Sequence, residues 1–273
     1  MINLSAHHWE VSLAPEFGGV LLALRHGGKH VLRPAASEAA VAADPRQAAC
    51  YPCVPWFGRL YDGLNFAGHR YDLAPTHTLC DPDHPLHGEG WVNPWRVTDQ
   101  QSEGLRLQFE YGPKPRGFPF AFMALQDFVA SPNDFRIILT LVNQGDTPMP
   151  AGLGLHPFFI RSAATRIKID EKLNWRAPLS RVKTSLRPDG ALPEETMDHS
   201  ATGWSGDVEI CEANLSIRMH STTPILHLYA PRKESFFCLE PITHLPGEFG
   251  GEVLACGNRM TLATVFSAPR PIS

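Results

Sequence analysis

The chain has 273 residues, of which 43% are hydrophobic and 19% charged, and its net charge is −4. That is the composition of a globular protein long enough to bury a large core, and the absence of any basic run longer than two residues excludes nucleic acid and anionic membrane as natural partners. No apolar stretch approaches the roughly 18 residues that cross a bilayer.

The first residues, Met1-Ile2-Asn3-Leu4-Ser5-Ala6, lack the charged, apolar and small-residue order of a secretory signal. Residues 20–24 and 31–32 read as strands, joined by the turn His26-Gly27-Gly28-Lys29. Residues 38–49 hold the one helix-like stretch, and Pro45 interrupts it. Six cysteines, at 50, 53, 80, 211, 238 and 256, are too sparse for a disulfide scaffold. Cys50-Tyr51-Pro52-Cys53 has no second pair to complete a zinc site, so reduced thiols in a cytoplasmic protein are expected. Residues 105–111 alternate apolar and polar as a half-buried strand does, whereas Phe135, Ile137, Leu139 and Leu141, backed by Ile138 and Val142, predict a strand buried on both sides. Residues 181–199 form the longest excursion, of the kind that carries ligand contacts. Further strands are expected within 207–219, 236–239 and 251–266. With 22 Gly and 25 Pro spread along the chain, long helices are disfavoured. The fold class is therefore all-β: one domain, residues 1–273, built as a large antiparallel sandwich with few short helices.

Three residues combine proton-transfer chemistry with the margin of an apolar run: His87, His156 and Glu240. Each stands beside a Gly or Pro, which predicts a side chain held at a strand end. His156 lies among Leu153, Leu155, Phe158 and Phe159, where desolvation favours the neutral imidazole; packing as a core histidine is the alternative reading. Glu240 ends the run Phe236-Phe237-Cys238-Leu239, where a carboxylate is costly unless paired or open to a cleft. Trp91 and Trp95 offer flat faces that stack on the C–H side of a sugar ring, or else pack in the core. His84 and His87 have the spacing of a metal pair, but no third ligand is evident, so no metal is expected. Arg59 presents a fork of donors among aromatics, for ligand oxygens or for a nearby carboxylate. The chain lacks a P-loop, a Rossmann glycine fingerprint and a nucleophile elbow.

Taken in order, these segments resemble the aldose 1-epimerase (galactose mutarotase) family, from about residue 49 to residue 266. The resemblance rests on Trp56-Phe57-Gly58-Arg59-Leu60-Tyr61-Asp62-Gly63, on Leu86-His87-Gly88 with Trp95 downstream, and on Gly154-Leu155-His156-Pro157-Phe158-Phe159. It rests equally on Asp198-His199-Ser200 followed by Gly203-Trp204-Ser205-Gly206, and on Leu239-Glu240-Pro241-Ile242-Thr243. It implies a galactose mutarotase-like supersandwich with an open sugar cleft, no cofactor, and an aldohexose as the small-molecule partner. It also implies roles: Glu240 as general base on the anomeric hydroxyl, His156 as general acid on the ring oxygen, and His87 near the ring oxygen or opening carbonyl. Arg59 and Asp198 would hold hydroxyls, with Trp91 as a further substrate contact. Such a pair predicts a bell-shaped pH dependence. Family members often carry Asn where Gly58 stands, which leaves the preferred sugar open. A hexose 6-phosphate epimerase and a non-catalytic carbohydrate-binding protein are the competing readings, and either a monomer or a homodimer is compatible with the chain.

Overall fold

The computed structural model describes residues 1–169, 173–176, 183–184, 189–212 and 215–268. Two antiparallel sheets face one another across the core. The eleven-stranded site sheet runs in the order Ile2–Ala6, Trp9–Ala14, Val20–His26, Cys50–Cys53, Gly154–Ile160, Phe236–Pro241, Ile225–Ala230, Met197–Thr202, Asn174–Arg176 and Lys183–Thr184, with Lys29–His30 paired to Val20–His26. The eight-stranded back sheet runs Arg166–Lys168, Asp207–Glu212, Leu215–Ser221, Arg259–Ser267, Asp134–Asn143, Phe122–Ala130, Gly104–Tyr111 and Arg96–Gln100. The expected all-β sandwich is what forms.

Period-two alternation assigns each residue to a layer. Along Gly154–Ile160, Leu155 and Phe159 point into the core between the sheets, and along Phe236–Pro241 so do Phe237 and Leu239. Phe159 stacks on Phe237 at 5.4 Å and reaches Phe266 of the back sheet at 6.4 Å. Each such aromatic contributes about 1.5–3 kcal/mol by leaving water. The alternate residues, Phe158 and Cys238, belong to a second apolar cluster on the outer face of the site sheet, with Tyr51, Phe57, Leu86 and Trp91.

Local expectations meet the structure in detail. His26 pairs with Lys29, leaving Gly27 and Gly28 as a two-residue turn at φ 55° and 76°. That is the left-handed pair a tight hairpin requires and glycine supplies freely. The helix covers Glu38–Ala43 and begins where the Ser37 side chain accepts the Ala40 N–H; a 3₁₀ turn over Pro45–Gln47 follows, so Pro45 ends it as expected. Cys50 and Cys53 lie on one strand, three residues apart, and fall in different clusters, so they cannot chelate together; all six cysteines are free.

One expectation is corrected, and another falls partly outside the described residues. Asp134–Asn143 is not buried on both sides: Ile138 and Val142 are half-buried and Arg136 is exposed, because this face of the back sheet meets solvent. The 181–199 excursion lies in part outside the described residues, and its end, Met197–Thr202, is a regular strand paired with Ile225–Ala230.

Candidate active site

The site is a rung across the site sheet. His156 pairs with Tyr51, Glu240 with His227, and His227 with Ser200. Between these lies the register Phe158 opposite Cys238. Two residues along, on the same face, that register brings His156 beside Glu240, and His156 Nε2 lies 3.4 Å from Glu240 Oε1. Five adjacent strands thus contribute Tyr51, His156, Glu240, His227 and Ser200 in one line. The next rung brings Phe158, Cys238, Tyr229 and Asp198 together.

Neither His156 nor Glu240 sits at a strand end, contrary to the sequence expectation; both lie within strands. Pro157 does not stop its strand, because the adjacent Phe158 N–H donates to the carbonyl of Ala49, just ahead of Cys50–Cys53. Alternation places the missing Pro157 N–H on the opposite edge, where pairing begins only at Phe158. The imidazole and carboxyl group stand side by side on the floor of one cavity of ≈ 570 Å³.

Burial sets their charge. Glu240 is 1% exposed and both its oxygens lack a hydrogen-bond partner, so desolvation, reinforced by Asp198, raises its pKa well above the carboxylate range. His156 is pushed the other way by desolvation, with His87 and His227 adding to it. Both shifts favour the uncharged forms, a carboxylic acid beside a neutral imidazole. The imidazole is clamped between Tyr51, at 4.4 Å, and Phe158, at 4.7 Å, both stacked on it. Arg33 covers Phe158 at 4.1 Å while donating to the carbonyls of Arg46 and Ala48.

His87 and Arg59 come from two crossing segments. Arg59 bridges to Leu86, the His87 N–H donates to the Gly58 carbonyl, and Val54 bridges to Gly88. Gly88, at φ 77°, has no room for a side chain: a Cβ there would lie 2.1 Å from the Val54 carbonyl oxygen. His87 itself holds φ 56°, a strained value for a residue with a side chain. Its Nδ1 accepts the Gly58 N–H at 3.2 Å, which places the proton on Nε2. Burial lowers its pKa to about 3, so the ring is a neutral donor. Next door, His244 Nε2 accepts the Phe57 N–H at 3.1 Å while Nδ1 donates to the Leu245 carbonyl. Two neutral imidazoles thus fasten consecutive amides of the segment carrying Arg59.

Arg59 Nε donates to Asp81 at 2.6 Å, and its guanidinium also lines the cavity. Asp81 drops to about 2: burial works against this, but Arg59 and the N–H groups of Asp83 and His84 outweigh it. His84 Nδ1 bonds Asp81 too. Asp198 lines the cavity half-exposed, 3.1 Å from His227 Nε2. Burial raises its pKa, but the bond from His227 and the charge of Arg59 leave it lower than usual. Trp91 is corrected: it is fully buried, donates its indole N–H to the Leu86 carbonyl, and packs behind His87 instead of lining the cavity. Trp95 is likewise core.

His227 and His244 did not emerge from sequence. For His227 the signal was there: in Ile225–Ala230, Leu226 and Leu228 alternate with His227 and Tyr229, which puts the polar pair on one face. His244 gives no such sign, because its partner lies 187 residues away.

A carboxyl group and an imidazole side by side, open to a cavity lined by two further histidines, four arginines and two aspartates, can exchange protons with two neighbouring oxygens of a polyol. The chain is 28% identical over 265 residues to the uncharacterized protein YphB of Escherichia coli strain K12, covering 87% of this chain and 88% of YphB. Among solved structures it superposes on a candidate aldose 1-epimerase of Escherichia coli K12 with TM-score 0.85, at 24% identity over 98% of each chain. A galactose mutarotase-like protein of Clostridium acetobutylicum gives TM-score 0.81 at 15% identity, over 98% of this chain and 94% of that one. The family model described as aldose 1-epimerase matches residues 1–267, nearly end to end, and the chain accordingly belongs to the aldose 1-epimerase family.

Proposed function

We propose that the protein is a mutarotase that interconverts the α and β anomers of an unphosphorylated aldohexose. The observation that carries this reading is the unpartnered Glu240 carboxyl group 3.4 Å from His156 Nε2 on a cavity floor. The anomeric hydroxyl and the ring oxygen hang on the same carbon, one bond angle apart, so two groups this close reach both. When sugar hydroxyls donate to Glu240 they supply the hydrogen bonds that burial withholds, and the shared proton moves to His156. Glu240 then takes the proton of the anomeric hydroxyl while His156 gives one to the ring oxygen, and the hemiacetal opens. Rotation about the bond to the aldehyde turns its other face, the two groups exchange roles, and the ring closes inverted at that carbon. His87 Nε2–H donates to the oxygen that gains charge, and Arg59 and Asp198 hold hydroxyls. Each proton transfer contributes typically ~10²–10⁴ in rate.

Phosphorylated hexoses fit less well. A phosphate wants several unengaged arginines. Arg161 donates to the Pro231 and Pro193 carbonyls, Arg116 pairs with exposed Asp72, and Arg232 lines the cavity. Arg33, Arg46 and Arg59, also at the cavity, are held by the carbonyls of Arg46 and Ala48, by Asp44 and by Asp81 respectively. A pure binding protein has no use for an acid and a base left unsatisfied.

Optical rotation of freshly dissolved α-glucose or α-galactose tests the reading. Equilibration accelerates with the protein and returns to the spontaneous rate with His156→Ala or Glu240→Ala. Acceleration confined to a hexose 6-phosphate would transfer the assignment to that substrate, and binding without acceleration would refute turnover. A finer expectation concerns His227. His227→Phe removes the bond that aims Asp198, so KM rises about five- to tenfold with kcat less affected, the scale of one charge-assisted hydrogen bond. Steady-state kinetics on the better of the two sugars reads this, and an unchanged KM would sink it.

A further inference from the structure

We propose that His156, Cys238 and Glu240 form a binding site for a thiophilic divalent cation of the zinc class, at the floor of the cavity. A nitrogen, a sulfur and an oxygen donor from these three buried residues lie within 4.8 Å of one another. The sheet makes the grouping: Cys238 and Glu240 are two apart on one strand and share a face, and Phe158 opposite Cys238 sets His156 alongside. Both Glu240 oxygens are buried without a hydrogen-bond partner, so no existing bond of that carboxyl group has to break.

The dimensions suit zinc. Ligands at about 2.0–2.3 Å in a tetrahedron stand roughly 3.3–3.7 Å from one another. His156 Nε2 and Glu240 Oε1 are already 3.4 Å apart. From separations of up to 4.8 Å the three donors need to draw together by on the order of 1 Å, within the reach of side-chain rotation. His156 and Glu240 line the cavity, so the fourth position opens to it and takes water. A thiolate and a carboxylate together cancel the charge of the dication, and their two protons pass to the buffer. Mg²⁺ prefers six oxygens and gains nothing from sulfur or imidazole. A cation held here occupies the acid and the base at once. Inhibition of mutarotation therefore follows if the proposed function holds, whereas the binding itself does not depend on that reading.

Calorimetric titration of the full chain with ZnCl₂ and with MgCl₂, and absorption spectra with CoCl₂, test the site. One Zn²⁺ binds per chain and Mg²⁺ does not, and Co²⁺ gives a thiolate charge-transfer band. Cys238→Ser weakens Zn²⁺ at least tenfold and removes the band, while Cys256→Ser, at an exposed thiol, changes neither. Should Cys238→Ser fail to fold, the Co²⁺ spectrum of the unaltered protein still decides. No Zn²⁺ binding, a Co²⁺ complex without the thiolate band, or affinity indifferent to Cys238 overturns the proposal. Zinc bound through Cys238 in a protein that accelerates no sugar would refute the epimerase reading and leave the cation site standing.

Discussion

Glu240→Gln lowers the mutarotation rate by about 10²–10⁴-fold and at the same time raises the melting temperature above pH 7. The amide keeps the shape of the side chain but cannot take a proton from the anomeric hydroxyl. Its effect on stability follows from burial. Desolvation holds the Glu240 pKa well above its unfolded value, so above the ordinary carboxylate range the folded protein retains a proton that the unfolded chain has lost. Stability therefore falls as pH rises through that window, and the uncharged amide escapes the loss. The gain of the variant over the parent is small near pH 5 and grows toward pH 8. For a domain of this size about 1 kcal/mol moves the melting temperature by roughly 2–4 °C. Paired thermal melts from pH 5 to pH 8, with polarimetry on the same samples, check both halves. A variant that stays active, or that is less stable at every pH, contradicts the placement of Glu240.

Acid unfolds this protein earlier than its carboxylates alone would dictate. Burial depresses His87 to about 3 and His244 to about 4, and drives His156 down as well. The sign is that of a base kept neutral in the fold: below the unfolded histidine value near 6.5 the unfolded chain takes up protons that the native state refuses. The stability is complete above that value and drains as pH falls toward the folded ones. At pH 4.5, His87 and His244 each cost about 2–3 kcal/mol relative to pH 7. Glu240 acts oppositely and returns part of this. Asp81, held near 2 by Arg59, contributes its share down to lower pH. Urea unfolding at pH 7 and pH 4.5 reads the difference, and His244→Gln, whose amide oxygen can still accept the Phe57 N–H, recovers part of the loss. Equal stability at the two pH values would contradict the buried neutral histidines.

The rate has its own dependence on pH. A bell is expected from either protonation order, but burial reassigns its limbs: the acid limb belongs to the imidazole, below its usual range, and the alkaline limb to the carboxyl group, above its usual range.

What the sequence disclosed was mostly local. Alternation over residues 104–111, the Gly27-Gly28 turn and the stop at Pro45 all follow from nearest neighbours, and all appear in the fold. The site residues were legible by type, because a histidine or glutamate amid apolar strands invites a chemical reading. Their arrangement was not. Which strands adjoin, and in what register, is decided by contacts between residues 51, 156, 227 and 240, and no local signal encodes that. The same gap explains Trp91, whose burial is set by the segments folded over it, and His244, whose acceptor role exists only once residue 57 arrives.

The rung has a bearing on how the molecule matures. Each of its five strands donates one side chain, and a slip of a single residue in any of them would turn that side chain through the sheet to the opposite layer. Partial assembly therefore yields no partial site. Because Gly154–Ile160 joins Cys50–Cys53 on one flank and Phe236–Pro241 on the other, the last pairing to lock must bridge a long intervening stretch of chain, residues 54–153 or 161–235, a slow event in a topology dominated by distant contacts. Turnover should then return only at the very end of renaturation, after compactness and strand content have recovered, so that enzymatic output serves as a stricter gauge of native registry than any spectroscopic one.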